Sequence, residues 1–233
     1  MSEIQRKRKV KIEWSPAFAY GIGLLASDGF LNKDGRHIGM KTAERELIDN
    51  FKAAFGVQNK IGRSSRGGEV EKRYYHMSFG DVVFYQFLNS IGITNAKSKT
   101  IQKVQVPDKF FADFLRGIFD GDGTFYSFWD IRWPSSFVFQ LAFASASIDF
   151  IGWLQNQSMR LFSVRGFVKK GDGVYNLTYF KNDTRKLFQA MYYKKDLLFL
   201  SRKFRKIQEA LDADQELIVM RKQNSKNAGV AQW

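Results

Sequence analysis

YGIGLLASDGFL at residues 20–31 is repeated as FLRGIFDGDGTF at residues 114–125. The alignment sets Asp28 on Asp122 at an offset of 94 positions, and the glycine that follows each Asp keeps the same offset. Because this offset is close to half of the 233 residues, the repeat indicates a chain built from two similar halves.

The segments after the two repeats follow one common order. Hydrophobic spacing and turn residues predict helix, two strands, helix, two strands, helix in each half, with hairpin turns at Asp34-Gly35 and at residues 170–173. We therefore expect an α+β fold with antiparallel sheets and two pseudo-symmetric αββαββα halves. The predicted division is a first half with a basic tail (1–100), a linker (101–107), a second half (108–212) and a C-terminal tail (213–233).

Each repeat contains small residues where a stable helix would not select them. Glycine inside a helix costs about 1 kcal/mol relative to alanine. Two small residues four positions apart on one helix face allow another backbone to approach closely. The two repeat helices are therefore predicted to pack against each other through Gly23, Ser27, Gly117 and Gly121.

Asp28 and Asp122 are predicted at the C-terminal ends of these helices. A carboxylate there faces the negative end of the helix dipole, and two carboxylates at one seam repel each other. The glycine after each Asp would suit a left-handed helix cap. Both the acid at each helix end and the closeness of the two acids are unfavourable without a cation. Their occurrence at matching positions therefore predicts a site for a divalent cation.

Composition limits the chemistry of such a site. The chain has no Cys and only two His, so a metal would be a hard cation held by oxygen. Lys and Arg number 37 against 23 acids, and the net charge of +14 indicates a polyanionic partner. There is no apolar run long enough to span a bilayer and the polar start is unlike a secretory signal, so we expect no membrane and an intracellular location, in a prokaryotic cytoplasm or nucleoid or in an organelle matrix.

GIGLLASDG (residues 21–29) and LRGIFDGDG (residues 115–123) resemble the two motif copies of single-chain LAGLIDADG homing endonucleases. The first copy departs more, with Ala26 in place of the first motif acid. The resemblance implies a saddle of antiparallel strands on double-stranded DNA and a site-specific double-strand cut by a monomer. It also implies that Asp28 and Asp122 are catalytic and bind Mg²⁺ or Mn²⁺, whereas Ca²⁺ would bind without supporting cleavage.

The family also has basic residues near its metals. In this chain Lys99 and Lys203 are the predicted matched pair that would stabilise transition-state charge. Lys41 is a further candidate, without a basic counterpart in the second half.

DNA contacts are expected from exposed polar side chains on the strands and turns. About half of them would only position the phosphate backbone. The aromatic cluster of residues 125–133 could stack on bases, but we expect most of it to pack in the core under the sheet. The candidate contacts are Asn32, Lys33, Arg36, His37, Lys41, Lys60, Arg63, Arg66, Lys72, Arg73, Tyr126, Arg132, Arg165, Lys169, Lys170, Asn176 and Lys181.

Two other functions fit the same features. An intron-RNA-binding maturase would share the charge and the fold. A non-cleaving DNA-binding protein of this fold would share them too. The intact pair of acids favours cleavage, because neither alternative needs two carboxylates at one seam.

Overall fold

Both halves contain the predicted order of helices and strands. The computed structural model describes residues 9–65, 70–71 and 73–230. The first half consists of α1 (Pro16–Ala26), β1 (Gly29–Leu31), β2 (His37–Thr42), α2 (Arg45–Phe55), β3 (Gly62–Ser64), β4 (Tyr74–Gly80) and α3 (Val82–Ser90). The second consists of α4 (Phe111–Asp122), β5 (Gly123–Asp130), β6 (Trp133–Ser145), α5 (Ile148–Phe162), β7 (Phe167–Lys170), β8 (Tyr175–Phe180) and α6 (Lys181–Met191). A last helix, α7 (Ser201–Val230), runs through the boundary that we predicted between residues 212 and 213.

Each half has one four-stranded antiparallel sheet, which confirms the α+β fold class. The strand orders are β1-β2-β4-β3 and β5-β6-β8-β7, so the two sheets have the same topology. The predicted hairpin turns are confirmed, since Gly35 and Gly173 lie between paired strands with φ of 75° and 70°. Only glycine adopts such angles without strain.

The repeat helices begin as predicted but end differently. The Ser15 side chain accepts a hydrogen bond from the Phe18 amide at 3.1 Å, and Pro16 is the first helical residue of α1. The predicted left-handed caps are wrong, because Gly29 and Gly123 are the first residues of β1 and β5. Each strand leaves the helix so tightly that a Cβ on Gly123 would lie 2.7 Å from the Phe119 Cα. Glycine is needed there for space.

The connection between the halves packs against the protein core. Ile101 and Val104 are buried, and the Ile101 carbonyl accepts a hydrogen bond from the Ser147 hydroxyl at 2.5 Å. Residues 101–107 therefore tie the first half to the start of α5.

The aromatic cluster after α4 is mostly outside the core, contrary to our prediction. Phe125 is buried, but Tyr126, Phe128, Trp129 and Trp133 are between 47% and 68% exposed. Side chains alternate between the two faces of a strand, and β5 extends beyond the helices that cover its inner face.

Candidate functional site

α1 and α4 lie side by side and form the seam between the two halves. A Cβ on Gly23 would lie 2.9 Å from the Gly117 Cα, and one on Gly117 would lie 3.0 Å from the Gly23 Cα. The same Cβ atoms would clash with the carbonyl oxygens of Phe114 and Tyr20, which are again 94 positions apart. The reciprocal contacts describe a pseudo-twofold axis between the helices, as the small-residue pattern predicts.

The seam continues to the helix ends, where Ser27 packs against Gly121. A Cβ on Gly121 would lie 2.7 Å from the Ser27 Cβ and 3.6 Å from the Asp28 carboxyl carbon. The carboxyl groups of Asp28 and Asp122 lie close enough for each to shift the pKa of the other. The fold thus brings together the two acids that the repeat singles out.

The environment makes this carboxyl pair reluctant to ionise. Burial raises the pKa of Asp28, although Lys203 and Lys97 lower it. Burial and the negative charge of Asp28 raise the pKa of Asp122 to about 6. Asp28 is half-buried and Asp122 is exposed, so the pair is open to an incoming ligand.

Two buried lysines bind the C-terminal ends of the repeat helices α1 and α4. Lys97 Nζ donates to the carbonyls of Ser27 at 3.1 Å and Gly29 at 2.6 Å. Lys203 Nζ donates to Gly121 at 3.2 Å and Gly123 at 2.6 Å, which are the equivalent carbonyls.

Our pairing of Lys99 with Lys203 was therefore wrong, and Lys97 is the matched residue. Lys99 is exposed in the turn that follows Lys97. Burial lowers the pKa of Lys97, and it lowers the pKa of Lys203 to about 8. Both lysines act electrostatically on Asp28 and Asp122.

An open polar cleft of about 390 Å³ lies beside Asp122. It is lined by Lys203, Lys206 and Arg202 of α7 and by the first residues of β5. Lys206 Nζ donates to the Phe125 carbonyl at 3.0 Å, and Arg202 pairs with Glu44 of the first half. The cleft joins a carboxylate to three cationic groups, which suits a phosphate that shares a cation with Asp122.

The donor set fits a hard divalent cation. Among the described residues there is no cluster of three or more His, Cys, Asp or Glu. Mg²⁺ is commonly held by one or two carboxylates, with water and substrate phosphates completing the coordination. Asp28 and Asp122 supply two such carboxylates. The nearby carbonyls at the helix ends already accept hydrogen bonds from Lys97 and Lys203, so we expect the carboxylates to be the metal ligands.

A buried polar network crosses the seam and was not predicted from the sequence. Asp120 is fully buried and accepts hydrogen bonds from the Tyr20 hydroxyl at 2.8 Å and from the Leu200 amide at 2.7 Å. Burial raises the pKa of Asp120 to about 6. The first half has Ala26 at the equivalent position, so this network exists on one side of the axis only.

Most of the predicted DNA contacts lie on open parts of the two sheets. Asn32, Lys33 and Arg36 are exposed in the β1–β2 turn, beside His37, which pairs with Asp34. Lys41 lies on the face of β2 away from the helices, and the exposed Lys60, Arg63 and Arg73 lie on or next to β3 and β4. In the second half Tyr126, Lys169 and Asn176 lie on the outer face, with Arg132, Arg165 and Lys170 exposed around it.

Three members of that set have a different outcome. Lys181 lies on the helix-covered side, where its ammonium pairs with the buried Asp214 of α7 at 2.5 Å, so our prediction of an outward contact was wrong. Arg66 and Lys72 lie outside the described residues. None of the helices in the described part of the chain is both long and apolar enough to cross a membrane.

Comparison with known proteins identifies the fold. No family model and no curated protein sequence matches the chain. Among solved structures, the chain is similar to the meganuclease I-SmaMI bound to uncleaveable DNA, with a TM-score of 0.55, 11% identity, and coverage of 89% of this chain and 92% of that one. It is equally similar to the I-LtrWI LAGLIDADG homing endonuclease bound to target DNA, with a TM-score of 0.55, 11% identity, and coverage of 89% and 91%. Full-length DUF199/WhiA from Thermatoga maritima matches with a TM-score of 0.53, 12% identity, and coverage of 94% and 71%. The chain has the LAGLIDADG fold.

Proposed function

We propose that the chain is a divalent-metal-dependent endonuclease that recognises a long asymmetric DNA duplex and cuts both strands as a monomer. The strongest support is the Asp28–Asp122 pair, with one carboxyl from each half at the end of the seam. A duplex offers two strands related by an approximate twofold axis. One acid on each side of the pseudo-twofold axis suits one phosphate in each strand.

Asp28 and Asp122 would hold Mg²⁺ or Mn²⁺. Such a cation supplies Lewis acidity toward a phosphodiester and lowers the pKa of water. Lys97 and Lys203 keep two positive charges beside the carboxyls, which favours their ionised, metal-binding form. Each lysine is anchored on backbone carbonyls, so its charge is fixed before substrate arrives and no reorganisation is required.

The rest of the surface suits DNA. The net charge of +14 favours binding to phosphates, and each sheet has one face open to solvent. A two-stranded ribbon fits the major groove of B-DNA, where base edges can be distinguished. I-SmaMI and I-LtrWI, which have the same fold, are bound to DNA in their structures.

A non-cleaving nucleic-acid-binding protein, either a DNA-binding regulator or an intron-RNA maturase, is the second candidate. It is favoured by the two buried lysines, because Lys97 and Lys203 already offset the negative charge of the carboxyl pair. The seam is therefore electrostatically balanced without a cation. Cleavage is the property that separates the two functions.

The test is selection of cleaved duplexes from a randomised DNA library in Mg²⁺. Wild-type protein is expected to enrich one long asymmetric sequence, and Asp28→Asn with Asp122→Asn in one chain is expected to bind that sequence without cutting it. Asp149→Asn is the control, since Asp149 is an exposed acid in the first turn of α5. A wild-type protein that binds a specific sequence and never cuts it would favour the second candidate. Unchanged cutting by the double variant would overturn the mechanism.

A further inference from the structure

The outer face of the second sheet is unusually apolar for a surface that is open to solvent. Tyr126 of β5 and Phe180 of β8 flank Gln140 of β6 in one row across the sheet. Their side chains are 49% and 48% exposed. Phe167 of the edge strand β7 is 58% exposed and packs edge-on against Phe180, with ring centroids 5.7 Å apart.

This apolar character is more pronounced in the second sheet, although Phe30 of β1 is 37% exposed on the outer face of the first. The two sheets share topology and register, so positions can be compared strand by strand. Where Phe180 stands in the second sheet, the first has Gly80, and where Ala144 stands, the first has Lys41. The outer-face pairs across the two central strands include His37 with Gly80 and Lys41 with His76 in the first sheet, and Gln140 with Phe180 and Ala144 with Asn176 in the second.

The face is not a part of the core left uncovered by accident. The alternate residues of the same strands, including Phe125, Leu141 and Tyr179, are buried against the helices. The core of this half is therefore complete, and the outer aromatics contribute little to it. Exposed aromatic side chains grouped on one face mark a binding surface.

Charge and position indicate what binds there. Basic side chains border the apolar rows, with Lys169 on β7, Lys170 beside it and Arg165 in the loop before it. β5 begins directly after Asp122, so the face is continuous with the carboxyl pair. Basic side chains around an apolar centre fit a polyanion that also presents apolar groups. The major groove of DNA does so, because it lies between phosphate backbones and contains thymine methyl groups.

Thymine contributes the apolar group of the major groove through its C5 methyl. An aromatic ring gains by contact with that methyl, whereas a G·C pair offers no methyl group in the major groove. On the basis of the proposed function, we propose that the second sheet recognises an A·T-rich half-site through thymine methyl groups that contact Tyr126, Phe167 and Phe180. The first sheet, with Lys41 and His76 on its outer face, reads its half-site by polar contacts.

The test compares thymidine with deoxyuridine, which differs only by the missing methyl. A duplex is first selected for binding from a random library in EDTA, so that cleavage plays no part. Thymidines are then replaced by deoxyuridine in one half-site at a time, and the dissociation constant is measured by fluorescence anisotropy. We expect one half-site to lose about fourfold in affinity for each contacted methyl, and the other to be unaffected.

Two variants assign the effect to the sheet. Phe180→Ser should weaken binding to the thymidine duplex and reduce the thymidine-to-deoxyuridine ratio toward one. Lys41→Ser, on the first sheet, should weaken binding to both duplexes equally. If a sequence is selected but deoxyuridine has no effect, or if Phe180→Ser keeps the full ratio, this inference is wrong and the proposed nuclease function is untouched. If no sequence is enriched at all, site-specific recognition itself fails, and both proposals fail with it.

Discussion

Lys97 and Lys203 cap the C-terminal ends of the two repeat helices, α1 and α4. The carbonyls of Ser27 and Gly29 accept hydrogen bonds from Lys97, and those of Gly121 and Gly123 accept hydrogen bonds from Lys203. The two pairs of carbonyls are separated by the same offset as the sequence repeat. A buried ammonium at the C-terminus of a helix meets the negative end of its dipole. The same two ammonium groups neutralise the carboxyl pair, so structural and chemical roles coincide.

Lys97→Met is therefore expected to lower both stability and cleavage, whereas Lys99→Met should change neither. Methionine keeps the length of the side chain but leaves two buried carbonyls unsatisfied, which costs about 1–3 kcal/mol. Urea denaturation and a cleavage time course measure the two effects. The assignment is wrong if Lys99→Met loses activity while Lys97→Met retains it.

Gly117→Ala is expected to destabilise the protein by about 3 kcal/mol. The new Cβ would meet backbone atoms of Gly23 and Leu24 at 3.0 Å, and because these are main-chain atoms the helices would have to move apart. The matched control is Gly152→Ala in α5, where a Cβ meets nothing within 4 Å. That substitution should stabilise by up to about 1 kcal/mol through helix propensity. Equal effects of the two substitutions on the free energy of unfolding would contradict the close contact at the seam.

Asp122→Asn is expected to stabilise the metal-free protein at neutral pH. Asp122 has a folded pKa of about 6 against an ordinary value of 3.8, so between these values the folded protein binds more protons than the unfolded chain. Its contribution to stability therefore falls as pH rises through this window, and the penalty is complete above it. We expect a gain of about 1 kcal/mol at pH 7, because solvent screening of the exposed Asp122 reduces the full effect of its pKa shift. Thermal melts at pH 7 and pH 4 test this, because the advantage should disappear at pH 4.

Single substitutions at the two acids should affect cleavage of the two DNA strands differently. If, as proposed, each acid serves one scissile phosphate, Asp28→Asn or Asp122→Asn alone is expected to convert double-strand cutting into slow nicking, with each variant preferring a different strand. End-labelled duplexes resolved on a denaturing gel identify the strand that is cut. If each variant slows both strands equally, the two acids act as one shared site.

Tyr20→Phe is expected to destabilise the seam by about 1–3 kcal/mol, since it removes a hydrogen bond from the buried Asp120 carboxylate. Tyr192 offers a matched control. Its hydroxyl is also buried but has no hydrogen-bond partner within the part of the chain that the structure describes. Tyr192→Phe should therefore be neutral or slightly stabilising. A loss from Tyr192→Phe as large as that from Tyr20→Phe would argue against a specific role for the Tyr20–Asp120 bond.

The paired acids and the seam could be predicted because their pattern is local and occurs twice. Lys97 could not be distinguished from Lys99 in the same way. Which lysine turns inward depends on the backbone turn at Ala96, whose φ of 54° is in the left-handed region, and no neighbouring glycine signals that turn. Which of the two lysines reaches the helix end depends on the path of the backbone, and the amino-acid composition does not reveal that path.

The same distinction explains the aromatic residues. Tyr126 and Phe125 are adjacent and chemically similar, yet one is open to solvent and the other is buried. Strand alternation assigns them to opposite faces, but only the packing of α4 and α7 determines which face of β5 is covered. The cross-seam bond from Tyr20 to Asp120 was missed for a related reason, because it joins residues a hundred positions apart.

The network around Asp120 also limits how the halves can be recombined. Two copies of the first half would have Ala26 on both sides of the axis, which leaves Tyr20 without its acceptor. Two copies of the second half would bury two Asp120 carboxylates and supply no Tyr20 to either. The halves have thus become complementary and are no longer interchangeable modules. A chimaera that grafts one half onto a foreign partner must transfer the donor and the acceptor together.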